Sequence, residues 1–510
     1  MRHARRGHQV TEAVEAFSPA EEQFNRRRRT TGLIVGPLAF ALVFLLPMNV
    51  SPPAHKLAAI IVLMIVFWMT EALPLAVTAL MGPVMAVLFG ITSARVAFAP
   101  FADPIIFLFI GSFILAEAMF VHGLERRLAF TALASRWVGH SGLRLGIVYA
   151  LVACVVSMWM SNTATTAMLF PLGMALLAEL GRERKYDRAF QQYALAMMLM
   201  TAFAASIGGI GTPVGTPPNL IGIGLLRDLA GINVSFVSWM MLGVPIVAIT
   251  MAVLIAVLLY PRARHIQLSA EAVASVRAEL ARLGPMSAGE RNVVIAFGLT
   301  TALWIVPGTC QAVFGATNPT VQHLTALLPE SVAAMVGALL LFVLPVHWNS
   351  RRFTLTWEEA ASIDWGIVLL FGGGLAIGQL AESTGLSTGF GHWVAAEFPA
   401  AGAVGLTLIF TAVAIVMSEA TSNTAAANII VPLAIAVAKA AGVSPLEPGL
   451  GATLGASMGF MMPISTPPNA IVYSSGHVPI GAMMRHGIVL DLVGYVIIVV
   501  VVITFGSWLR

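Results

Sequence analysis

Ser157-Met158-Trp159-Met160-Ser161-Asn162-Thr163-Ala164 and Ser418-Glu419-Ala420-Thr421-Ser422-Asn423-Thr424-Ala425 carry one short polar motif written twice, 261 residues apart, each inside a long apolar stretch. The match extends outwards. Pro171 and Pro432 follow the two motifs at the same distance, and Gly215-Thr216-Pro217-Pro218-Asn219 and Ser465-Thr466-Pro467-Pro468-Asn469 lie further downstream. Asp103 and Asp364 open equivalent apolar runs, with Gly111 and Gly372 in the same place in each. A long internal repeat in an apolar chain, broken by polar segments at corresponding positions in both halves, points to a secondary transporter and to its binding site.

Composition agrees. The chain is 58% hydrophobic and 10% charged, with mean hydropathy +0.87, whereas soluble domains are about 25% charged. Successive apolar runs approach the roughly 20 residues that cross a bilayer. The reading is an all-α polytopic membrane protein with spans near 31–48, 56–71, 73–91, 104–121, 190–226 (broken at 211–219), 235–260, 291–308, 331–346, 364–382, 447–475 (broken at 463–469) and 487–508. Residues 143–180 and 402–440 are apolar on both sides of their Ser-Asn-Thr and could each be one long span or two half-length segments. The charged start, through Arg26-Arg27-Arg28-Arg29, reads as a cytosolic tail and not a cleaved signal peptide. Cys154 and Cys310 have no metal or redox spacing and read as inert thiols.

Charge chooses between span and hairpin. With 143–180 and 402–440 as re-entrant hairpins, 23 of the 28 Lys and Arg fall on the cytosolic side and 5 on the other, as the positive-inside rule requires. Making either segment a single crossing puts basic loops on the wrong side. Eleven spans place the amino terminus inside and the carboxyl terminus outside. Two five-span repeats are then inverted relative to each other, the geometry of alternating access. The net charge of +4 reflects this topology. The basic residues form no single stripe, so a nucleic-acid partner is not expected, and the basic 261–291 loop faces lipid headgroups or solvent.

Broken helices at membrane depth have a chemistry of their own. Ser, Asn and Thr cap new helices and Pro suits a first turn, so each Ser-Asn-Thr reads as a hairpin tip and each Thr-Pro-Pro as the restart of a half-helix. Helix N-termini favour an anion, while exposed carbonyls and Ser/Asn oxygens suit a hard monovalent cation such as sodium. The breaks hold no Lys or Arg, so dipoles and co-transported cations must compensate an anion's charge. That argues against an anion channel, which would need a basic ring. An intramembrane enzyme would need a cluster of His, Cys, Asp or Glu at the breaks, where only Glu419 stands.

The motifs resemble those of the divalent anion:sodium symporter family. The likeness covers nearly the whole chain from the first span, and its most specific stretch is Ala456-Ser457-Met458-Gly459-Phe460-Met461-Met462-Pro463-Ile464-Ser465-Thr466-Pro467-Pro468-Asn469-Ala470-Ile471-Val472. The resemblance implies a homodimeric, elevator-type carrier in the cell (inner) membrane. Its scaffold would be 31–122 and 291–382, and its moving transport domain 143–260 and 383–510. A tail (1–30), a connector (123–142) and a cytosolic loop (261–290) complete the chain. By match to the family's motif, Ser157, Ser161, Asn162 and Gly215 would form one sodium site and Ser418, Ser422, Asn423 and Ser465 the other. Asn162, Thr163, Thr216, Asn423, Thr424 and Thr466 would contact substrate. Ser465 replaces the Ala of some relatives, and Val214 a Thr found in some animal members. The implied activity is sodium-coupled import of four-carbon dicarboxylates such as succinate, malate or fumarate. The alternatives are a dicarboxylate exchanger without net sodium coupling and a sodium:sulfate symporter.

The remaining ionisable residues read as structural. Glu419 suggests helix packing or a solvated vestibule before any part in a site. Glu71, Glu117, Glu382 and Asp491 suggest interfacial anchoring, with a proton relay open for Glu117 and Glu382. His122, His140 and His477 read as solvated.

Overall fold

The computed structural model describes residues 19–184, 187–315, 317–397 and 402–506. Most of the expected tail therefore lies outside the described residues, and its last part is helical, continuous with Pro19–Leu45. Among the described residues, eleven helices are long and apolar enough to cross a membrane, or up to twelve counting one bent pair. The number matches the sequence reading, but the membership differs. Asn162–Gly181, Ala403–Ala420 and Asn423–Ala440 qualify, while Leu75–Leu88, 14 residues long, is too short. The expected span at 331–346 is the bent pair Pro319–Leu327 and Glu330–Leu341, with a 50° bend. Patterning missed its first arm because Gln322 and His323 interrupt the apolar run.

Polar side chains set the punctuation. Asp103 accepts from Ile105 N at 2.8 Å with Pro104 in the first turn, opening Pro104–His122. Its counterpart Asp364 accepts from Ile367 N at 3.3 Å and opens Trp365–Ser383. Each takes up a donor that has no partner within its helix. Gly123, with φ 67°, ends Pro104–His122 and starts the amphipathic Leu124–Leu133. The 261–290 segment carries a second amphipathic helix, Ala270–Arg282, which packs on Leu124–Leu133.

Helices pack in two groups. Pro19–Leu45, Pro52–Thr70, Leu75–Leu88, Pro104–His122, Ala288–Phe314, Glu330–Leu341 and Trp365–Ser383 contact one another. The second group contains both Ser-Asn-Thr segments and both broken segments, and its halves interlock. Pro467–Tyr473 packs on Asn162–Arg184, and Pro217–Ala230 packs on Asn423–Ala440. Each half's restarted helix thus rests on the other half's motif-bearing arm. Phe203 and Phe460 meet edge to face at 5.2 Å between the halves. Large apolar side chains such as Leu45 and Leu88 stay exposed on the outer helices, as a lipid-facing surface would have them.

Candidate functional site

Both Ser-Asn-Thr segments fold as two helices meeting at a polar break. Gly142–Ser157 ends before 158–161, and Asn162–Arg184 begins with the motif. In the second half Ala403–Ala420 and Asn423–Ala440 flank Thr421 and Ser422. The Ser161 hydroxyl accepts from Ala164 N at 3.1 Å and the Ser422 hydroxyl from Ala425 N at 3.2 Å. These two serines act as N-caps, so only their remaining lone pairs could reach an ion.

Behind each tip a second serine fixes the asparagine. Ser157 Oγ donates to Asn162 Oδ1 at 2.7 Å, and Ser418 Oγ donates to Asn423 Oδ1 at 2.6 Å. Ser157 and Ser418 are buried, while Asn162, Thr163, Asn423 and Thr424 remain half-buried. Locked carboxamides at a part-open break present oxygens without reorganisation.

The downstream breaks close on these tips. A Cβ built on Gly209 would lie 2.3 Å from Asn162 Oδ1, and one on Gly215 would lie 2.5 Å from Gly209 O and 2.9 Å from Met158 O. Ser157, Met158, Asn162, Gly209 and Gly215 therefore converge on one knot of neutral oxygens. Thr212 Oγ1 also donates to Met158 O. In the second half a Cβ on Gly459 would lie 3.0 Å from Asn423 Oδ1, 3.1 Å from Ser418 Oγ and 3.4 Å from Ser465 Cβ. Ser418, Asn423, Gly459 and Ser465 converge likewise. Such sets of neutral oxygens fit a hard monovalent cation.

Thr216 and Thr466 share one conformation, φ −147° ψ 144° and φ −144° ψ 145°, and precede Pro217–Ala230 and Pro467–Tyr473. Neither hydroxyl caps its helix, and Thr466 Oγ1 is buried without a partner. Each break is also stitched by an asparagine. Asn219 Nδ2 donates to Gly209 O at 2.9 Å and Thr212 O at 2.7 Å, and Asn469 Nδ2 to Gly459 O and Met462 O, both at 3.0 Å.

A family model for the sodium:sulfate symporter transmembrane region matches residues 28–510. The chain belongs to the divalent anion:sodium symporter family. It is 31% identical over 483 residues to the sodium-dependent dicarboxylate transporter SdcS of Staphylococcus saprophyticus, covering 92% of this chain and 90% of that protein. Identity to the same-named protein of Staphylococcus aureus (strain USA300) is 31% over 481 residues, with the same coverage. An uncharacterized transporter of Haemophilus influenzae is 33% identical over 482 residues, 93% of this chain and 95% of its own length. The crystal structure of the YdaH transporter of Alcanivorax borkumensis superposes with TM-score 0.54 at 16% identity, covering 96% and 99% of the two chains. That likeness supports the all-α polytopic architecture. The symporter is a transporter and not an enzyme.

Several residues of this symporter escaped sequence reasoning. Gly209, Gly459, Met158 and Thr212 carry no site signal of their own in the sequence, although the first two occupy the same place in each repeat. Asn219 and Asn469 stood in plain view inside a repeated motif, and their duplicated role was the missed signal. Two assignments change outright. Glu419 is no vestibule group: its carboxylate is buried and accepts from Phe460 N at 2.5 Å, Met461 N at 2.8 Å and Ser465 Oγ at 2.6 Å. Asp491 is no interfacial anchor, since it is 5% exposed within Ile480–Phe505. Nor are the histidines simply solvated. The His122 ring bonds Thr354 O at 2.7 Å, His140 bonds Leu268 O at 3.1 Å, and His477 packs edge-on against Phe190. Glu71 and Glu382 do sit near helix ends, paired with Arg28 at 2.8 Å and with Lys439.

Proposed function

We propose that this symporter couples sodium entry to import of four-carbon dicarboxylates such as succinate, malate or fumarate. One observation carries the reading. Two matched breaks each present a serine-locked asparagine, a threonine and a knot of neutral oxygens, with no Lys or Arg in either. Two such tips suit a molecule with two separated carboxylates, and an anion held there needs cations beside it. The names of the Staphylococcus relatives support sodium and dicarboxylate as the coupled pair.

In this reading Ser157, Asn162 and Gly215, with Ser161, hold one sodium ion. Ser418, Asn423 and Ser465, with Ser422, hold the other. Asn162, Thr163 and Thr216 face one substrate carboxylate, and Asn423, Thr424 and Thr466 the other. Sodium binding first draws the oxygens of each break together, which shapes the helix N-termini for the anion and links the two affinities reciprocally. The interlocked halves then travel as a rigid body against the other helices, which form the fixed scaffold of a homodimer in the cell membrane. The amino terminus is cytosolic and the motif segments are re-entrant, as the distribution of Lys and Arg supports.

Uptake of labelled succinate by proteoliposomes tests this, with and without a sodium gradient and with or without internal dicarboxylate. Uptake should require sodium and should be inhibited by dicarboxylates but not by lactate. Undiminished uptake in choline that demands internal dicarboxylate would establish an exchanger, and sulfate outcompeting succinate would establish a sulfate carrier.

A further inference from the structure

The two helices that back the breaks share a basic cavity where they meet. A Cβ on Gly243 would lie 2.6 Å from Ile210 O, and one on Gly487 would lie 2.6 Å from the Met461 backbone. Phe236–Leu254 and Ile480–Phe505 therefore each rest on one break, and they pack on each other. The first continues through a π-helical turn, Ile255–Leu259, into Tyr260–Ala263. Such turns are frequent at functional sites. Pro261 has no N–H to give to Val257 O, and the Arg262 side chain supplies the missing donor. Its Nη1 donates to Val257 O at 3.2 Å and to Leu258 O at 2.9 Å. Its Nη2 donates to His486 Nε2 at 3.0 Å, joining the end of one helix to the start of the other.

A part-open cavity of about 420 Å³ lies at this junction, lined in part by Gln192, Val257, Pro261, Arg262, Arg485 and His486. Both charged residues on its wall are arginines, and no carboxylate lines it among the described residues. Its donors are largely uncommitted. Arg262 Nε is buried with no acceptor. Arg485 enters no ion pair and no side-chain hydrogen bond among the described residues. His486 accepts at Nε2 from an arginine that can only donate, so it carries its hydrogen on Nδ1 as a further donor. Gln192, from Arg188–Gly209, adds a carboxamide. Two guanidiniums on one wall repel each other until an anion lies between them. Phosphate oxygens match the guanidinium fork in both charge and shape.

An apolar stripe leads away from the cavity. Ile488, Leu492, Val496 and Val500 follow Arg485 by 3, 7, 11 and 15 residues, which keeps them on its face of the helix, and all four are exposed. A free anion would leave that stripe bare, whereas an acyl chain covers it. We propose that the cavity binds the phosphate of an anionic phospholipid, whose chain lies along Ile488, Leu492 and Val496. Basic pockets between membrane helices are suited to such headgroups. A lipid held there ties together the two helices that back the two breaks. The site rests on the membrane-spanning fold and not on which anion or cation is carried.

Native mass spectrometry of the purified full chain tests this by titration with phosphatidylglycerol and, separately, with phosphatidylcholine of the same acyl chains. The first phosphatidylglycerol should bind about tenfold or more tighter than the first phosphatidylcholine. Arg485→Gln should weaken that step about five- to tenfold, the worth of one basic residue facing an anionic headgroup. The double variant Arg262→Gln with Arg485→Gln should bring the two lipids level. Arg277→Gln, an exposed basic residue on Ala270–Arg282 outside the cavity, should leave the step unchanged. If the double variant does not fold, Arg485→Gln decides alone, because its side chain holds nothing else in place. Equal affinity for the two lipids in the wild type, or equal losses in Arg485→Gln and Arg277→Gln, overturns the proposal. Inorganic phosphate that displaces phosphatidylglycerol at comparable concentration shows a site for free phosphate and overturns the lipid assignment.

Discussion

Adding a single methyl group at Gly209 should disable the first cation site, while the same change at Gly459 should be tolerated. A Cβ at Gly209 would sit 2.3 Å from Asn162 Oδ1 and 3.1 Å from its Cγ and Nδ2. The carboxamide cannot step aside cheaply, because Ser157 holds the same Oδ1 at 2.7 Å. Overpacking of this kind costs about 1–3 kcal/mol, and each 1.4 kcal/mol is about tenfold in affinity. If the strain relaxes by displacing Asn162, the apparent sodium affinity of Gly209→Ala should fall about 5- to 150-fold. At Gly459 the nearest atoms lie at 3.0, 3.1 and 3.4 Å, a crowding that a few tenths of an ångström relieves. Gly459→Ala should therefore change sodium affinity less than about threefold. The assay is the sodium dependence of succinate uptake in proteoliposomes, with thermal melts run alongside to detect misfolding. A larger effect at Gly459 than at Gly209, or a Gly209→Ala variant with normal sodium affinity and only a lower maximal rate, would refute the reasoning.

Three further outcomes are expected. Thr466→Val removes a buried hydroxyl that has no partner, so thermal stability should hold or rise while substrate affinity falls about tenfold; a stability loss without an affinity loss contradicts the assignment. Glu382 and Lys439 bridge Trp365–Ser383 and Asn423–Ala440, helices assigned to opposite sides of the moving interface. A disulfide formed by Glu382→Cys with Lys439→Cys should stop transport until reduced, and intact turnover in the crosslinked protein would contradict rigid-body movement. Burial pushes the Glu125 carboxyl up to about 7 from 4.5, so its proton stabilises the fold at low pH and that contribution is lost as pH rises from about 4.5 through about 7. Glu125→Gln should flatten this part of the stability curve, by at most about 3 kcal/mol, and an unchanged curve would rule out Glu125 as its cause.

The fold was legible because membrane spans announce themselves by length and the repeat by its polar punctuation. Asp103 and Asp364, the two Ser-Asn-Thr tips and the two Thr-Pro-Pro restarts all stand at helix starts, since each needs a cap or a proline-compatible first turn. What patterning could not show is which segments touch. That Pro467–Tyr473 rests on the first half's arm and Pro217–Ala230 on the second's is a tertiary fact, and neither stretch carries a sequence signal that names its partner. Asp491 illustrates the limit. A lone aspartate in an apolar run looks like an anchor until Gly487 and Gly494 are seen to lay its helix against the broken backbone.

The halves are alike in their neutral oxygens and unlike in charge, and that difference should order sodium binding. Ser157 and Ser418 fix their asparagines within 0.1 Å of the same distance, so the oxygen ligands alone give no reason for one site to fill first. Around the first knot the groups are dipoles: Met158 O, Gly209 O and the Asn162 carboxamide. Beside the second, the Glu419 carboxylate bonds Ser465 directly at 2.6 Å. A unit charge attracts a cation by about 4 kcal/mol at 4 Å with an effective dielectric of 20. Even a fraction of that, after the extra distance across Ser465, separates two otherwise equal affinities by tenfold or more. Direct measurement of sodium binding to the purified symporter should resolve a tighter and a weaker class. Asn423→Ala should remove the tighter class and Asn162→Ala the weaker, each lowering succinate affinity in step. Glu419→Gln should draw the two classes together. If instead Asn162→Ala removes the tighter class, or Glu419→Gln leaves the separation untouched, the ordering is set by something other than this carboxylate.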